Sequence, residues 1–333
     1  MAHKNEAVEE RIAIGVRRII NILRKHGVAT MRTLEQKISD AGPTNQRIDP
    51  HILTKARITL KDRGDLLTRK EGNTEWYALA SSDQAFIDAR FDELNVIHAR
   101  THQKRFTDRM GDTAEIAVMR AMQRTEKDFV GHFADLDQHA DDVPYAKHDP
   151  DYFSGKPIIG GKLDYILFNP SAGGMGIEIK NTREWMYPDK DIVTQFLRKC
   201  VQIDVVPVLI ARRIHYTTFS VLNALGGVVH QFYNQLYPYS EAELADLVRH
   251  KNSLGYFDIR VGNEPDQRML HFFEHSIPAV SEESREKFDE KKGLIAEYTD
   301  GQINYAEFYS RLVNGDAEDG EEGPDWDPDE DIL

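Results

Sequence analysis

Residues 162–180, KLDYILFNPSAGGMGIEIK, contain two short apolar runs around a turn-forming segment at 169–173. In an extended strand, side chains two residues apart share a face, so Glu178 and Lys180 point the same way. If the runs form a hairpin without a bulge, a register centred on Ser171 places Asp164 opposite Glu178. The stretch therefore predicts paired strands on which one acid meets an acid-x-Lys pair.

The paired carboxylates predict a metal site. Asp164 and Glu178 would repel each other unless a cation lay between their oxygens, and hard oxygen ligands of this kind suit Mg²⁺, with Mn²⁺ as an alternative ion. Lys180 is placed to orient or activate a water, or to neutralise charge on a phosphate under attack. The alternative is that Glu178 and Lys180 form an ordinary ion pair on a solvated strand.

The surrounding sequence predicts an α/β (α+β) domain with a central mixed sheet flanked by helices. An amphipathic helix at 112–124 carries Glu115 near its start. The other predicted elements are a strand at 128–133, helices at 191–201 and 219–225, a buried strand at 205–212, a strand at 227–233, and covering helices at 240–250 and 281–312.

Residues 8–80 predict three helices followed by a hairpin. Helical apolar spacing covers 8–25, 30–39 and a third helix that Asp49 caps with Pro50 at its first position. Strands at 66–70 and 74–79 enclose a turn. This order resembles a winged helix-turn-helix domain preceding the larger α/β domain.

In such a domain the third helix reads DNA and the hairpin forms the wing. We expect cations of the third helix and the wing to contact phosphates or base edges, namely Lys55, Arg57, Lys61, Arg63, Arg69 and Lys70. Lys162, beside the hairpin of the second domain, is a further expected DNA contact. Small tri-helical domains also mediate dimerisation or docking. The sequence leaves open whether this domain binds DNA or protein.

Composition narrows the classes of protein to consider. A chain of 333 residues with 40% apolar content accommodates two domains. No apolar stretch approaches the roughly 20 residues that cross a bilayer, and the N-terminus lacks a signal-peptide core. The single cysteine excludes an internal disulfide. We expect a cytoplasmic protein without membrane partners.

The net charge of −14 is unevenly distributed. Residues 1–110 hold 20 Lys/Arg against 15 Asp/Glu, whereas 281–333 hold 5 against 18. Ten acids and no base lie between Asp316 and Asp331, which predicts a disordered, solubilising tail. The alternative is a polyanion that competes with nucleic acid for a basic surface or docks on a partner.

The segment from Gly111 to Tyr233 resembles the PD-(D/E)xK nuclease superfamily, which has the restriction-endonuclease-like fold. The resemblance implies that Asp164 and Glu178 bind Mg²⁺, that Lys180 positions or activates the attacking water, and that Glu115 completes the metal site. It also places Gln195 where several subfamilies have a helix glutamine facing the metal. The proline of the motif is absent, because Leu163 precedes Asp164.

The expected function is metal-dependent endonucleolytic cleavage of DNA, with restriction or anti-phage defence as its setting. Cleavage of both strands needs two sites, so we expect a homodimer. The alternatives are a DNA-binding regulator without catalysis and a junction or repair nuclease that recognises DNA structure instead of sequence. The sequence leaves open whether the protein needs a partner protein and whether it cleaves RNA. The predicted segments are a winged helix-turn-helix domain at 1–80, a connecting helix at 81–110, a nuclease-like domain at 111–313 and an acidic tail at 314–333.

Overall fold

The computed structural model describes the chain in four stretches, which are residues 2–39, 47–134, 136 and 145–315. The predicted acidic tail lies outside the described residues from 316 onward. No helix in the described stretches is both long and apolar enough to cross a membrane.

The chain divides into two compact units. Of the described residues, the first unit draws on 2–39, 47–106 and 243–259, and the second draws on 107–134, 136, 145–242 and 260–315. The transition at 106–107 lies close to the start predicted for the α/β domain at 111. The contribution of 243–259 to the first unit was not predicted, because we expected the helix at 240–250 to cover the sheet of the second.

The first unit contains the predicted three helices and hairpin, with one additional strand. Its elements are α1 (Ala2–His26), β1 (Val28–Thr30), α2 (Met31–Ile38), α3 (Pro50–Asp62), β2 (Leu66–Glu71), β3 (Thr74–Leu79) and α4 (Gln84–Thr101). The strands form an antiparallel sheet in the order β1-β3-β2. The order of elements agrees with the prediction, and the winged-helix identity stays a prediction.

The start of α3 differs in detail from the expectation. Asp49 stands at the N-cap position with Pro50 after it, but its side chain makes no capping hydrogen bond. The Asp49 carboxylate instead pairs with Arg11 of α1, with Oδ2 2.8 Å from Nη2. The carboxylate therefore links two helices and does not cap the third.

The second unit contains a mixed sheet among helices, so the coarse fold class is confirmed. Its helices are α5 (Lys104–Arg124), α6 (Asp191–Ile203), α7 (Tyr216–Ala224), α9 (Gln267–His271), α10 (Ile277–Thr299) and α11 (Tyr305–Asn314), whereas α8 (Ala242–Arg249) belongs to the first unit from Glu243 onward. Its strands are β4 (Phe129–Val130), β5 (His132–Ala134), β6 (Ala146–His148), β7 (Tyr152–Phe153), β8 (Lys156–Pro157), β9 (Tyr165–Asn169), β10 (Gly173–Lys180), β11 (Val206–Ala211), β12 (Val228–Gln231), β13 (Gln235–Tyr237) and β14 (Ile259–Val261).

The main sheet has the strand order β12-β11-β10-β9-β4. The hairpin of β9 and β10 pairs Asn169 with Gly173 and Tyr165 with Ile177, which is the predicted register centred on Ser171. Strands β10, β11 and β12 are parallel to one another. Their carboxyl ends therefore meet at one edge of the sheet, beside Lys180.

Helix boundaries differ from the predictions in two places. The predicted connecting helix at 81–110 and the helix at 112–124 are present as α4 and α5, which break at residues 102–103, so that Gly111 lies inside α5. The single helix predicted at 281–312 is present as α10 and α11, separated where Gly301 adopts a φ of +74°. A positive φ suits glycine and ends an α-helix.

The strand predicted at 128–133 is broken in two at Gly131. This residue has a φ of +105°, and a Cβ there would lie 2.8 Å from the Asp164 carbonyl oxygen. Only glycine allows so close an approach together with this backbone conformation. Because of the break, β4 pairs with β9, whereas β5 pairs with β6 outside the main sheet.

Candidate active site

The hairpin places Asp164 against the backbone of the strand that carries Glu178. The Asp164 N–H donates to the Ile177 carbonyl oxygen at 3.1 Å, and its Oδ2 accepts a hydrogen bond from the Ile179 N–H at 2.6 Å. One oxygen of the carboxylate is therefore fixed by the neighbouring strand. The other oxygen, Oδ1, faces a cluster of charged side chains.

Three carboxylates converge on one ammonium group in this cluster. Lys147 Nζ lies 3.0 Å from Asp164 Oδ1 and 2.6 Å from Asp149 Oδ1, and it also contacts Glu115 Oε2. The Lys147 side chain is only 16% exposed. We refer to Glu115, Lys147, Asp149 and Asp164 as the carboxylate cluster.

Burial and the crowding of negative charge alter proton affinity in the carboxylate cluster. Burial raises the pKa of Glu115 to about 8, and the negative charge of Asp164 adds to the rise while Lys147 opposes it. Burial opposes the charged form of Lys147, but Asp164 and Glu115 outweigh it and raise the pKa of that ammonium. Lys147 therefore stays charged, and Glu115 holds a proton more readily than an exposed glutamate does.

The backbone around Glu115 is held by the hairpin. The hydroxyl of Tyr165, the first residue of β9, donates to the Glu115 carbonyl oxygen at 3.0 Å. One turn earlier on α5, burial raises the pKa of Asp112 to about 6. Helix α5 thus brings two acids with raised pKa values, Asp112 and Glu115, to this end of the sheet.

Glu178 lies in a second charged group with two lysines. Its Oε1 lies 2.7 Å from Lys180 Nζ, and its Oε2 accepts a hydrogen bond from Lys199 Nζ at 2.8 Å. Lys199 also donates to the Lys162 carbonyl oxygen at 2.6 Å. Burial disfavours the charged form of Lys180, but Glu178 and Asp164 raise the pKa of its ammonium. We refer to Glu178, Lys180 and Lys199 as the Glu178 group.

The expected pair of carboxylates is therefore only partly formed. The hairpin sets Asp164 and Glu178 at neighbouring positions, as predicted, but Lys147 contacts the first and Lys180 and Lys199 contact the second. Glu178 is nevertheless only 7% exposed, so it is not a residue of a solvated strand. The ion pair of Glu178 with Lys180, proposed as the alternative, is present in a buried setting.

Gln195 has no contact with the site. It lies on α6 with its side chain exposed, one turn before Lys199. Residues four apart share a helical face, and the residue of α6 that contacts Glu178 is Lys199. The spacing of Gln195 and Lys199 on a predicted helix was the available signal for this lysine.

Lys147 and Asp149 were also missed as site residues. They lie on and directly after β6, in a stretch that shows neither helical nor strand periodicity. The break at Gly131 directs β5 out of the main sheet, and β6 pairs with it. No pattern in the sequence predicted that this short strand would return to Asp164.

The residues present are suited to a divalent cation, although they do not form a ready cluster. Among the described residues, no three His, Cys, Asp or Glu side chains lie close enough together to hold a metal. However, Glu115 Oε2 and Asp149 Oδ1 are buried without a hydrogen bond of good geometry, and only the charge of Lys147 compensates them. Buried acidic oxygens that share one ammonium as their compensation match the ligand chemistry of Mg²⁺.

Half of the cations predicted on the reading helix and wing are engaged within the first unit. Arg57 and Lys61 pair with Glu75 at 3.8 and 3.5 Å. Arg69 lies 3.3 Å from Asp88 and stacks on the ring of Phe91 at 3.5 Å. These contacts reduce the charge that the helix and wing offer to a phosphate backbone.

The other predicted DNA contacts lie at the surface or near it. Arg63, Lys70 and Lys162 are exposed, and Lys55 is half-buried. None of the four forms an ion pair within the described part of the chain. Their charge is therefore not compensated by a neighbouring carboxylate in this part of the structure.

Comparison of the chain with protein-family models, with curated proteins and with solved structures found no match. The functional assignment therefore depends on the geometry and chemistry of the carboxylate cluster and the Glu178 group.

Proposed function

We propose that this chain is a divalent-metal-dependent endonuclease that hydrolyses phosphodiester bonds in DNA. The observation that supports the proposal is the convergence of α5, the β9–β10 hairpin and β6 on one buried site. That site combines Asp164, Glu115, Glu178 and Lys180 with two further lysines. Acids and lysines at this density, in a mixed sheet, match the needs of phosphoryl chemistry better than those of structural support.

In this proposal Asp164 and Glu115, with Glu178, hold Mg²⁺ or Mn²⁺. A bound ion would polarise the scissile phosphate and lower the pKa of an attacking water. The Ile179 N–H keeps the Asp164 carboxylate oriented, and the Lys180 ammonium orients the water or neutralises the phosphate. Lys147 has to withdraw from the carboxylate cluster before an ion is bound there.

The proposal extends to partners. DNA is the substrate, and Lys55, Arg63 and Lys70 of the first unit with Lys162 of the second supply phosphate contacts. Cleavage of both strands requires two active sites, which a homodimer provides. A restriction or defence role fits such an enzyme and is part of the proposal.

A second candidate function is DNA binding without hydrolysis. The observation that favours it is that each acid of the site already has a lysine partner, Lys147 for the carboxylate cluster and Lys180 with Lys199 for Glu178. A site stabilised by its own lysines needs no metal to compensate its charge. Such a protein would bind nucleic acid as a regulator.

Cleavage of supercoiled plasmid distinguishes the two candidates. Full-length protein is incubated with the plasmid in Mg²⁺, Mn²⁺ or Ca²⁺, and nicked and linear products are measured. The variants are Asp164→Asn, which retains an acceptor for the Ile179 N–H, and Lys180→Met, which retains the aliphatic stem. The matched controls are Asp128→Asn and Lys156→Met, because both side chains are exposed and lie at the turn end of the hairpin.

We expect Mg²⁺-dependent nicking that falls at least 100-fold in Asp164→Asn and Lys180→Met, since one transition-state contact contributes about 10²–10³ in rate. The controls should retain wild-type activity. Retained DNA binding without cleavage in any of the three ions would reject the nuclease and support the regulator. Equal activity in the site variants and their controls would show that these residues are not catalytic.

A further inference from the structure

A cavity of about 570 Å³ lies at the same sheet edge as Lys180. Lys180 pairs with Ala211, and Ala211 pairs with Gln231, a residue of the cavity wall. Adjacent strands lie about 4.8 Å apart, so the cavity wall is roughly 10 Å from the Lys180 backbone. Ligands of α/β sheets bind at the carboxyl ends of parallel strands, which is where this cavity lies.

The cavity is lined by aromatic side chains that are partly or largely exposed to solvent. Tyr216 is 80% exposed, and Phe219 and Tyr233 are 45% and 44% exposed. Trp185 completes the group, and a parallel bridge between Met186 and Ile214 holds it beside the cavity. We refer to Trp185, Tyr216, Phe219 and Tyr233 as the aromatic wall.

Two arginines add positive charge to these rings. The Arg268 guanidinium lies 5.0 Å from the centre of the Tyr233 ring, and that of Arg213 lies 5.6 Å from the Trp185 ring and 5.9 Å from the Tyr233 ring. Among the described residues, those that line the cavity include no carboxylate. The lining residue His230 has a buried Nε2 without a hydrogen-bond partner in the described structure. The cavity thus combines stacking surfaces with positive charge.

These features point to one class of ligand. A phosphate alone would use the arginines and leave three or four rings exposed, and a purely apolar ligand would not need the arginines. A nucleotide uses both, because its base stacks on aromatic rings and its phosphate is attracted by the cations. A cavity of this volume lies within the usual range for small-ligand sites.

We infer that the cavity receives an unpaired base of the DNA substrate, from a nucleotide close to the phosphate that is cleaved. This inference rests on the proposed function, since it names the substrate that the active site selects. A base in the duplex is stacked and paired, so it reaches the aromatic wall only from a single strand or after extrusion from the helix. The enzyme would then prefer DNA with unpaired bases, and stacking would give little sequence preference.

Binding measured without divalent metal tests the inference independently of cleavage. Fluorescence anisotropy in EDTA compares the affinity of full-length protein for three ligands of equal length: an oligothymidylate strand, an abasic strand with the same phosphates, and a fully paired duplex. The variants are Tyr216→Ala and Phe219→Ala. The matched control is Phe168→Ala, because Phe168 is 46% exposed and lies at the opposite, turn end of the hairpin.

We expect wild-type protein to bind the oligothymidylate more tightly than the abasic strand. Tyr216→Ala and Phe219→Ala should weaken oligothymidylate binding by about 5-fold to 150-fold, the range for losing one base–aromatic stack, and leave abasic binding unchanged. Phe168→Ala should bind both strands like the wild type. Equal wild-type affinity for the two strands, or equal loss for both strands in the variants, would overturn the inference.

Photo-cross-linking distinguishes the source of the base and locates it. Single-stranded and duplex DNA containing 5-iododeoxyuridine are irradiated with the protein, and the cross-linked peptide is identified by mass spectrometry. Adducts at Trp185, Tyr216 or Tyr233 support the inference, from the single strand alone or also from the duplex if the base is extruded. If adducts form only at other residues, the inference is refuted. If adducts form at the aromatic wall but the protein does not cleave plasmid, the proposed nuclease activity is rejected while base binding by the cavity stands.

Discussion

Replacing Lys147 by methionine tests whether the carboxylate cluster depends on a single cation. Methionine retains most of the aliphatic stem and removes the ammonium that contacts Glu115, Asp149 and Asp164. These three side chains are 13%, 25% and 14% exposed, so water compensates them only in part. The variant therefore leaves three acids close together without a counter-ion.

The expected loss of stability follows from this environment. Removing one partner of a buried ion pair costs about 3–5 kcal/mol when the remaining charge stays buried. The loss should be smaller here, because burial raises the pKa of Glu115, so that proton uptake relieves part of the uncompensated negative charge. We expect the free energy of unfolding to fall by roughly 2–3 kcal/mol at pH 7.

Magnesium should restore part of this loss. A ligand that binds only the folded state stabilises it by about 2.7 kcal/mol when its concentration is 100 times its dissociation constant. In Lys147→Met the ion meets no competing ammonium, whereas in the wild type it has to displace Lys147. Mg²⁺ should therefore stabilise the variant more than the wild type.

Urea unfolding followed by circular dichroism, with and without Mg²⁺, measures both effects. Lys162→Met is the control, because the Lys162 side chain is exposed and its substitution removes the same charge. An unfolding free energy of Lys147→Met within about 0.5 kcal/mol of the control would refute the buried ion-pair argument. A variant that gains no stability from Mg²⁺ would refute the metal site.

Three further predictions concern stability. Burial raises the pKa of Glu115 to about 8, so between pH 4.5 and 8 the folded chain holds this proton more tightly than the unfolded chain, and wild-type stability should fall as pH rises. Urea midpoints across this range should decline less steeply in Glu115→Gln, and an unchanged slope would contradict the raised pKa. Asn181→Ala should lower the free energy of unfolding by about 3 kcal/mol, because the buried Asn181 amide donates to the Met110 and Leu236 carbonyl oxygens and accepts from the Leu236 N–H. A loss below about 1 kcal/mol in urea unfolding would show that these hydrogen bonds contribute little. Gly226→Ala should lower the free energy of unfolding by more than about 3 kcal/mol, and Gly173→Ala should lower it by about 1 kcal/mol, as measured by thermal unfolding. Both glycines have a positive φ, but only at Gly226 would a Cβ lie against backbone, 2.2 Å from the Ser284 carbonyl oxygen. Equal losses in the two variants would refute the steric argument.

The hairpin that carries the site was predictable because its constraints are local. Alternation of side chains along two apolar runs and a turn containing Pro170 and Gly173 define both strands and their register. The neighbouring positions of Asp164 and Glu178 follow from that register alone. The helices and strands around the hairpin were also predictable, since each depends on a periodic pattern within about a dozen residues.

The partners of the acids were not predictable, because they come from distant parts of the chain. Lys147 reaches Asp164 only because Gly131 breaks a strand and lets β5 pair with β6. Lys199 reaches Glu178 because α6 packs beside β10 with one particular face inward. Neither contact is encoded in spacing along the sequence.

The same distinction holds for the whole chain. Local patterns along the chain were enough to predict the periodic elements, the mixed sheet and the strand register that brings Asp164 to the level of Glu178. The cation that compensates each acid, and the rings that form the wall of the cavity beside Lys180, became known from the packed structure. The physical reason is that backbone geometry acts between near neighbours, whereas charge compensation and cavity shape depend on side chains that packing brings together from remote segments.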